Sequence, residues 1–396
     1  MKDHKIPKGF LANGIHCGAK KKRKDISLLY SEKPCKVAAV FTKNAVKAAP
    51  VLLAKEQLKH NDHVRAVVVN SGNANCMTGR QGIIDAQKIS SSMAKLLKVK
   101  PNEVLGSSTG IIGETMDMKP ILKGMPRLTS GLSEDGVHNA AEGIMTTDKF
   151  SKIASRTFKI GGKKIVMTGM AKGAGMIHPC MATMLCYIMT DVNIMGKALR
   201  KALDASNEIS FNSITVDGDM STNDTVMVLA NGAAGNKMIG DTGKDFRVFQ
   251  ENLSRVCKEL AQMVVRDGEG ASKFIEVNVK GAESDKDAKK VAGAIAGSLL
   301  VKCAVLGGDP NWGRIASSAG ASGAKLDPDK IEIALDGVIF FEKGKTAAQV
   351  DRKKSSVFKK KKVRIDVNLH SGKGKATTYS CDISKKYITL NSYYTT

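Results

Sequence analysis

The chain has 396 residues, of which 42% are hydrophobic and 25% are charged, values close to those of ordinary globular proteins. This composition excludes a disordered chain, and 38 Gly with only 9 Pro excludes a collagen-like or Pro-rich linker protein. At about 150 residues per domain, the length predicts two to three domains.

The charge of the chain is its most unusual property. Lys and Arg number 62 against 38 acidic residues, which gives a formal net charge of +24. Such a balance is typical of proteins that bind nucleic acid or an anionic surface. Two basic runs stand out, at 20–24 and 352–364, while the other lysines are spread over predicted helix faces. Two interpretations stay open: a lysine-rich solvated surface, which we favour, and a polyanion site.

The cysteines and the N-terminal residues bear on the cellular location of the protein. Eight cysteines form no C-x-x-C pair and no zinc-site spacing. We therefore expect reduced thiols in an intracellular, cytoplasmic protein, with no metal ligands. Residues 1–7 contain no apolar signal region, and the longest apolar stretch, 291–301, is too short to cross a bilayer. No membrane partner is predicted.

Hydrophobic periodicity predicts alternating strands and helices in the first part of the chain. The predicted elements are strands at 37–41, 64–69 and 104–105, and helices over 79–99 and 115–123. Small polar residues at 70–75 have the composition of a turn. Pro101 ends the long helix.

The remainder of the chain continues this alternation and then changes character. The predicted elements are a hairpin over 158–168, a buried strand at 181–191, a helix over 195–208, a strand at 225–230 and a helix over 245–266. The hairpin turns at the glycine pair 161–162. After about 285, a strand–helix–strand pattern with a lysine-rich turn between strands near 357–358 and 363–367 indicates a smaller C-terminal unit.

One short motif suggests a serine nucleophile. Gly106-x-Ser108-x-Gly110 matches the nucleophile elbow of α/β hydrolases. The flanking strand is short, and no histidine downstream has a distinctive setting. Because G-x-S-x-G is common in Gly/Ser-rich loops, a tight turn is the simpler interpretation.

A stronger signal surrounds Thr183. This hydroxyl residue opens a buried strand after a glycine-rich approach at 169–180. Glycines allow the strained backbone in which a hydroxyl attacks the carbonyl of the residue before it. After such a cleavage, the new α-amine of Thr183 would act as the base that activates its own hydroxyl. An autocatalytic N-terminal nucleophile is therefore one hypothesis, and a structural strand threonine is the other.

Nine sequence blocks in order resemble the ArgJ family, the ornithine/glutamate N-acetyltransferases of arginine biosynthesis. They are PKGF at 7–10, NSGNAN at 70–75, STGIIGE at 108–114, MTTD at 145–148, KGAGMIHP at 172–179, MATML at 181–185, DGEGA at 267–271, GDPNWGRI at 308–315 and NSYYTT at 391–396. The resemblance covers nearly the full length of the chain.

The resemblance implies a mechanism. The precursor would cut itself between Ala182 and Thr183, and Thr183 would carry acetyl from N2-acetyl-L-ornithine to L-glutamate in a ping-pong cycle. The S-T-G block would form the oxyanion hole from the Thr109 hydroxyl and the Gly110 amide, which makes the G-x-S-x-G match incidental. The substrate-binding positions that it implies are Thr146, Lys172, Thr183, Glu269, Asn391 and Thr396.

The resemblance also implies a fold and an assembly. The fold is α/β, a four-layer α-β-β-α sandwich of the DmpA/ArgJ type with a smaller C-terminal α/β domain. The expected divisions are an alpha chain 1–182, the rest of the sandwich at 183–280, and a C-terminal domain at 281–396. We expect an alpha2beta2 heterotetramer that needs no cofactor.

Two alternatives to this transferase stay open at this stage. An N-terminal-nucleophile aminopeptidase or amidohydrolase of the same fold would differ only in what attacks the acyl-enzyme. A basic nucleic-acid-binding protein would show steep salt dependence. The sequence also leaves open whether acetyl-CoA is a second acetyl donor.

Overall fold

The computed structural model describes residues 4–61, 63–178, 184–347 and 357–393. Its strands are β1 (Phe10–Ile15), β2 (Ile26–Phe41), β3 (His63–Asn73), β4 (Val104–Ile111), β5 (Lys152–Ile160), β6 (Lys163–Lys172), β7 (Leu185–Thr190), β8 (Thr225–Ala230), β9 (Phe274–Ala282), β10 (Glu332–Leu335), β11 (Val338–Glu342), β12 (Lys345–Thr346), β13 (Lys362–Asn368) and β14 (Gly374–Cys381). Its helices are α1 (Ala49–His60), α2 (Gly79–Leu97), α3 (Met118–Ser130), α4 (Val137–Gly143), α5 (Gly196–Glu208), α6 (Gly243–Arg266), α7 (Asp285–Gly297), α8 (Leu299–Gly307), α9 (Trp312–Gly320) and α10 (Lys385–Tyr393).

The long strand β2 connects the two halves of the larger sheet. The first half of β2 pairs with β1 and β3, and its second half pairs with β8. The resulting eight-stranded sheet has the order β4-β3-β2-β8-β7-β6-β5, with β1 beside β2. The β3/β4 and β7/β8 pairs are parallel, and the other pairs of this sheet are antiparallel.

The two halves of this sheet pack face to face. One apolar cluster joins Val67 and Val69 of β3 to Tyr187 of β7 and Met227 of β8. Val68, which points to the other face of β3 as strand alternation requires, packs with residues of α2 and α3. Helices α5 and α6 pack on the outer face of the other half of the sheet, which contains β7 and β8. The predicted α-β-β-α sandwich is confirmed, with its two β layers formed by one folded sheet.

The smaller unit is a second sheet covered by helices on one face. Its strand order is β12-β11-β10-β13-β9-β14, in which only β13 and β9 are parallel among the described strands. Helices α7, α8 and α9 contribute to its own apolar core. The other face packs on α6 through Phe274, Tyr379 and Cys381. The predicted boundary at 280/281 falls inside β9, and we place the division before Phe274 because a paired strand belongs to one sheet.

Several predicted elements form where the periodicity places them. The helices over 79–99, 195–208 and 245–266 correspond to α2, α5 and α6, and the strand at 225–230 is β8. The hairpin is β5 and β6, and it turns at Gly161 and Gly162, both with positive φ. The start of the predicted strand at 181–191 lies outside the described residues, and its remainder forms β7.

Two predicted segments differ. Residues 70–73, predicted as a turn, continue β3 because they pair with an equally extended β4. Val357 and Phe358, predicted as strand, form a 3₁₀ turn whose side chains enter the core of the second sheet. In both cases a contact distant in sequence overrides the local preference.

The helices of the described residues are too short or too polar to cross a bilayer one at a time. Helices α7 and α8 reach the necessary length and composition only together, and they meet at an angle of 57°.

Candidate active site

A polar cavity of about 300 Å³ lies where the sandwich meets α10. Its walls are Ala74, Thr109, Gly110, Ile112, Thr146, Thr147, Lys172, Gly175, Met176, Asp217, Asp219, Ser221, Thr222, Asn223, Glu269, Tyr387 and Asn391. Six predicted site residues share this cavity although they come from segments far apart in the chain. The other three, Ala182, Thr183 and Thr396, lie outside the described residues.

Thr109 and Gly110 lie at the end of β4, where it pairs with the end of β3. Gly110 has φ +138°, a conformation that L side chains rarely adopt. A Cβ atom there would lie 2.2 Å from the carbonyl carbon of Gly72. Only glycine fits, so the close packing of β3 against β4 fixes the position of this backbone amide.

Lys172 ends β6 and is almost completely buried, with 4% of its surface exposed. Its Nζ donates a hydrogen bond of 3.1 Å to Oγ1 of Thr109. Since the hydroxyl oxygen accepts from the ammonium group, the hydroxyl proton of Thr109 is free to point elsewhere. Burial lowers the pKa of Lys172, while the carboxylates of Asp148 and Glu269 favour its charged form.

A buried ion-pair cluster supports this side of the cavity. Nζ of Lys152 lies 2.6 Å from Oδ1 of Asp148 and 2.6 Å from Oδ2 of Asp267. Asp148 also accepts from the amides of Thr146 and Gly173, at 3.0 and 2.7 Å. It therefore ties the Thr146 loop to the backbone directly after Lys172.

Neighbouring cations keep the carboxylate of Asp148 ionised. Burial would raise the pKa of Asp148, but the ammonium groups of Lys152 and Lys172 outweigh burial and hold the pKa at about 2. Burial raises the pKa of Asp267, against the effect of Lys152. No local pattern in the sequence marks Lys152 and Asp267 as members of this cluster, because the two residues are 115 positions apart.

Glu269 also lines the cavity and is 8% exposed. Its carboxylate packs against the backbone of Gly175, where an added Cβ would lie 2.6 Å from the carboxylate. Nδ2 of Asn391, on α10, donates to Oε2 of Glu269 at 2.9 Å. The C-terminal helix thus orients the carboxylate of this wall.

The loop before β8 supplies residues that the sequence analysis did not predict. Asp217 accepts from the amides of Met176 and Ile177 at 2.6 and 2.7 Å, and from the hydroxyl of Tyr387 at 3.3 Å. Burial raises the pKa of Asp217, although these amides favour its charged form. Asp219 lines the same wall. The polar run 217–224 directly before a buried strand was the signal for this loop.

The same loop holds the backbone that follows the predicted nucleophile. The amide of Met184 donates to Oδ1 of Asp224 at 3.0 Å. Burial raises the pKa of Asp224 well above its ordinary value, against the effect of the Met184 amide. Asn223 joins this loop to β4, because its Nδ2 donates to the carbonyl of Ser108 at 2.7 Å. The start of β7 is therefore fixed against the wall that carries Thr109.

The serine-elbow alternative does not fit the structure. Ser108 is buried inside β4, 3% exposed, rather than at the tip of a turn. Its Oγ donates to Oδ1 of Asn70 at 2.5 Å, so it has a structural partner. Within the described ranges, no three His, Cys, Asp or Glu side chains are grouped in a way that would hold a metal ion.

The fold and the cavity define an α/β protein with a small cavity lined by both acidic and basic side chains. The family model of the ArgJ family matches residues 11–396. The chain belongs to the ArgJ family. It is an acyltransferase of arginine biosynthesis, which supports the transferase interpretation over the aminopeptidase alternative.

Two curated relatives and one solved structure illustrate the similarity. The Arginine biosynthesis bifunctional protein ArgJ of Caldanaerobacter subterraneus subsp. tengcongensis is 45% identical over 99% of this chain and 98% of its own length. The protein of the same name from Thermotoga neapolitana is 44% identical over 99% of this chain and 100% of its own. The crystal structure of the Bacillus halodurans protein matches 52% of this chain and 96% of its own, with 40% identity and a TM-score of 0.50.

Proposed function

We propose that the enzyme moves an acetyl group from N2-acetyl-L-ornithine to L-glutamate through an ester on Thr183, after cleavage between Ala182 and Thr183. The observation that carries the proposal is the shared cavity, which brings Thr109, Lys172 and Glu269 together. At about 300 Å³ it is at the small end of ligand pockets, which suits one amino acid at a time.

In the first half-reaction, the α-amine of Thr183 takes the proton of its own hydroxyl, and Oγ1 attacks the acetyl carbonyl of the donor. The negative oxygen of the tetrahedral intermediate accepts hydrogen bonds from the Thr109 hydroxyl and the Gly110 amide. Such a donor lowers the barrier by about 3–4 kcal/mol. The C–N bond then breaks, the leaving nitrogen receives the proton, and ornithine departs.

In the second half-reaction, the α-amine of glutamate attacks the same acetyl carbonyl. The ester C–O bond breaks, the proton lost by the amine returns to Oγ1 of Thr183, and N-acetylglutamate leaves. Both half-reactions use one oxyanion site, so the acceptor must enter after ornithine leaves. A metal ion is not required at any of these steps.

Charge complementarity assigns the substrate contacts. The buried ammonium of Lys172 suits the α-carboxylate that donor and acceptor share. Glu269, oriented by Asn391, suits the side-chain ammonium of ornithine. We assign Thr146 and Thr396 to the same amino-acid site, as their positions in the family motifs imply.

Cleavage would not separate the two chains. In the sheet order β4-β3-β2-β8-β7-β6-β5, the strands after residue 183 lie between strands that precede it. Half of the pairing partners of β7 and β8 would therefore belong to the other chain. The Bacillus halodurans chain, matched over 96% of its length but over only 52% of this one, supports two half-length chains. We propose that two such pairs form an alpha2beta2 assembly.

The location and the donor range complete the proposal. Cytoplasmic location suits the seven cysteines within the described residues, all of which are free thiols. If acetyl-CoA is a second donor, it must load the same threonine. Incubation with acetyl-CoA in place of N-acetylornithine therefore tests it directly.

Intact-mass measurement of purified protein tests the function. We expect two fragments of 182 and 214 residues, about 19 and 23 kDa of the 42.2 kDa total, with threonine at the second N-terminus. Quenching after addition of N-acetylornithine should add about 42 Da, one acetyl group, to the larger fragment. A single full-length mass from active protein, or an acetyl group on the other fragment, would contradict the proposal.

Glu269→Gln tests the donor contact. The substitution keeps the shape of the side chain and an acceptor for Asn391 but removes the charge. We expect the KM for N-acetylornithine to rise about tenfold to hundredfold, because a charged hydrogen bond is lost. The KM for glutamate should stay within about threefold, since its side chain does not use this carboxylate.

Glu251→Gln is the matched control for this experiment. Glu251 is exposed on α6 and does not line the cavity. The substitution therefore removes the same charge without affecting a substrate contact. An equal rise in both KM values for Glu269→Gln would mean that Glu269 holds a group common to the two amino acids.

A further inference from the structure

The basic run near the N-terminus lies beside the active-site cavity. Residues 20–23, here called the basic loop, line a second cavity of about 550 Å³ together with Ala19, Gly72, Ile111 and Thr146. Thr146 is also a wall of the active-site cavity, so the two spaces adjoin at this residue. General binding of polyanions, one function that the basic run suggests, does not explain why the run lies beside the active-site cavity.

Lys20 is the innermost member of the basic loop and is held in place. An added Cβ on Gly72 would lie 2.8 Å from Cγ of Lys20, and Gly72 in turn packs directly against Gly110. Nζ of Lys20 donates to the carbonyl of Met145 at 2.9 Å, one residue before Thr146. The ammonium group therefore lies between the oxyanion loop and the wall that the two cavities share.

Arg23 is fixed in the same way. Its Nη1 donates to the carbonyl of Asp148 at 3.1 Å, and its φ of +68° is the left-handed conformation that disfavours side chains other than glycine. Lys21 and Lys22 are exposed at the rim. The basic loop thus lines this cavity with four cations, of which Lys20 and Arg23 are held by hydrogen bonds and Lys21, Lys22 and Arg23 are exposed.

Two of these cations, Lys20 and Arg23, have no acidic partner among the described residues. Within the described part of the chain, neither Lys20 nor Arg23 forms an ion pair, and the side chains of both donate only to main-chain carbonyls. Burial, together with the charges of Arg23 and Lys172, lowers the pKa of Lys20 to about 8, although Asp25 and Asp148 favour its charged form. An entering anion would therefore improve the electrostatic energy of the loop.

The two adjoining cavities differ in the charges that line them. Asp217, Asp219 and Glu269 line the active-site cavity but not the second cavity, which the basic loop lines. The proposed reaction requires one site to accept two amino acids whose side chains differ in charge, a cation in the donor and an anion in the acceptor. A site with one acidic and one basic end meets this requirement, because each side chain finds its partner at a different end.

We propose that the basic loop is the subsite for the side-chain carboxylate of the acceptor, with Lys20 as the residue that determines acceptor specificity. This inference rests on the proposed function. It assigns the donor side chain to Glu269 and the acceptor side chain to Lys20, while Lys172 serves the α-carboxylate of both. The ornithine ammonium is repelled from the basic loop, which helps ornithine to leave before glutamate binds.

The test measures the two half-reactions separately for Lys20→Met, which keeps the length of the side chain and removes its charge. Formation of the acetyl-enzyme from N-acetylornithine should stay within about threefold of wild type. Transfer to glutamate should lose about tenfold to hundredfold in kcat/KM, the effect of one charged hydrogen bond. Transfer to glutamine, a neutral acceptor of the same shape, should change by less than about threefold.

Two variants separate specificity from a structural effect. Lys20→Arg keeps the positive charge and should restore transfer to glutamate to within about fivefold of wild type. Lys33→Met removes one charge from an exposed position that lines neither cavity, and it should behave as wild type. Equal losses for both half-reactions, or for glutamate and glutamine alike, would overturn the proposal.

The outcome also distinguishes this inference from the proposed function. If wild-type protein forms no acetyl-enzyme, the proposed function fails, and calorimetric binding of L-glutamate then tests the basic loop by itself. Weaker binding in Lys20→Met than in wild type supports a carboxylate subsite. Equal binding in the two proteins overturns it.

Discussion

Replacing Thr183 with alanine is expected to leave one uncut chain near 42.2 kDa that transfers no acetyl group. The methyl group of alanine has neither the hydroxyl that attacks the preceding carbonyl nor the one that carries the acetyl ester. Loss of a nucleophile typically lowers kcat by about 10⁴-fold or more. Intact mass and a glutamate acetylation assay measure both effects on one sample.

Thr183→Ser is the matched control for this variant. Serine keeps a hydroxyl at the same position, so we expect cleavage and transfer to continue at a reduced rate. The fold of the uncut alanine variant should survive, because β6, β7 and the Met184–Asp224 contact do not involve the threonine side chain. Full cleavage or measurable acetyl transfer in Thr183→Ala would refute the N-terminal-threonine mechanism.

Replacing Lys172 with methionine is expected to raise the KM for both amino acids and to lower kcat/KM by about 10²–10³-fold. The buried ammonium has two functions in the site. It is the proposed partner of the α-carboxylate that both substrates share, and it fixes the hydroxyl of Thr109 through the 3.1 Å hydrogen bond. Loss of a charged contact and of an oriented oxyanion donor together account for this magnitude.

Lys164→Met is the control on the same strand. Lys164 is exposed on β6, so the variant removes an equal charge without touching the cavity, and its kinetics should match wild type. A higher KM for only one of the two amino acids in Lys172→Met would contradict the assignment to the shared α-carboxylate. Unchanged KM values for both would remove Lys172 from the binding site.

Local patterns predicted those elements whose signal is contained within a few turns. The apolar spacing of α5 and α6 and the buried run of β8 depend on residues that are close in sequence. The Gly161-Gly162 turn follows from the positive φ that glycine permits. The longer extents of β3 and β4 were not predictable in this way, because their ends are stabilised only by pairing with each other.

The same distinction applies to the site. Sequence motifs alone assigned Thr109, Lys172 and Glu269 to one functional group, because their blocks match a family pattern. The Lys152–Asp148–Asp267 cluster and the anchoring of Lys20 beside Thr146 were invisible in the sequence, since each joins segments more than 100 residues apart in the chain.

The sequence by itself determined the chemical groups available to this protein: a threonine after a glycine-rich approach, the S-T-G block proposed as the oxyanion site, Lys172, and two unusually basic runs. Only the tertiary structure decided which charged side chains share a cavity, and which cations have no acidic partner among the described residues. The reason is that secondary structure responds to neighbours within one or two turns. The electrostatics of a cavity depend instead on sheet order, and the fold of β2 brings distant segments into contact there.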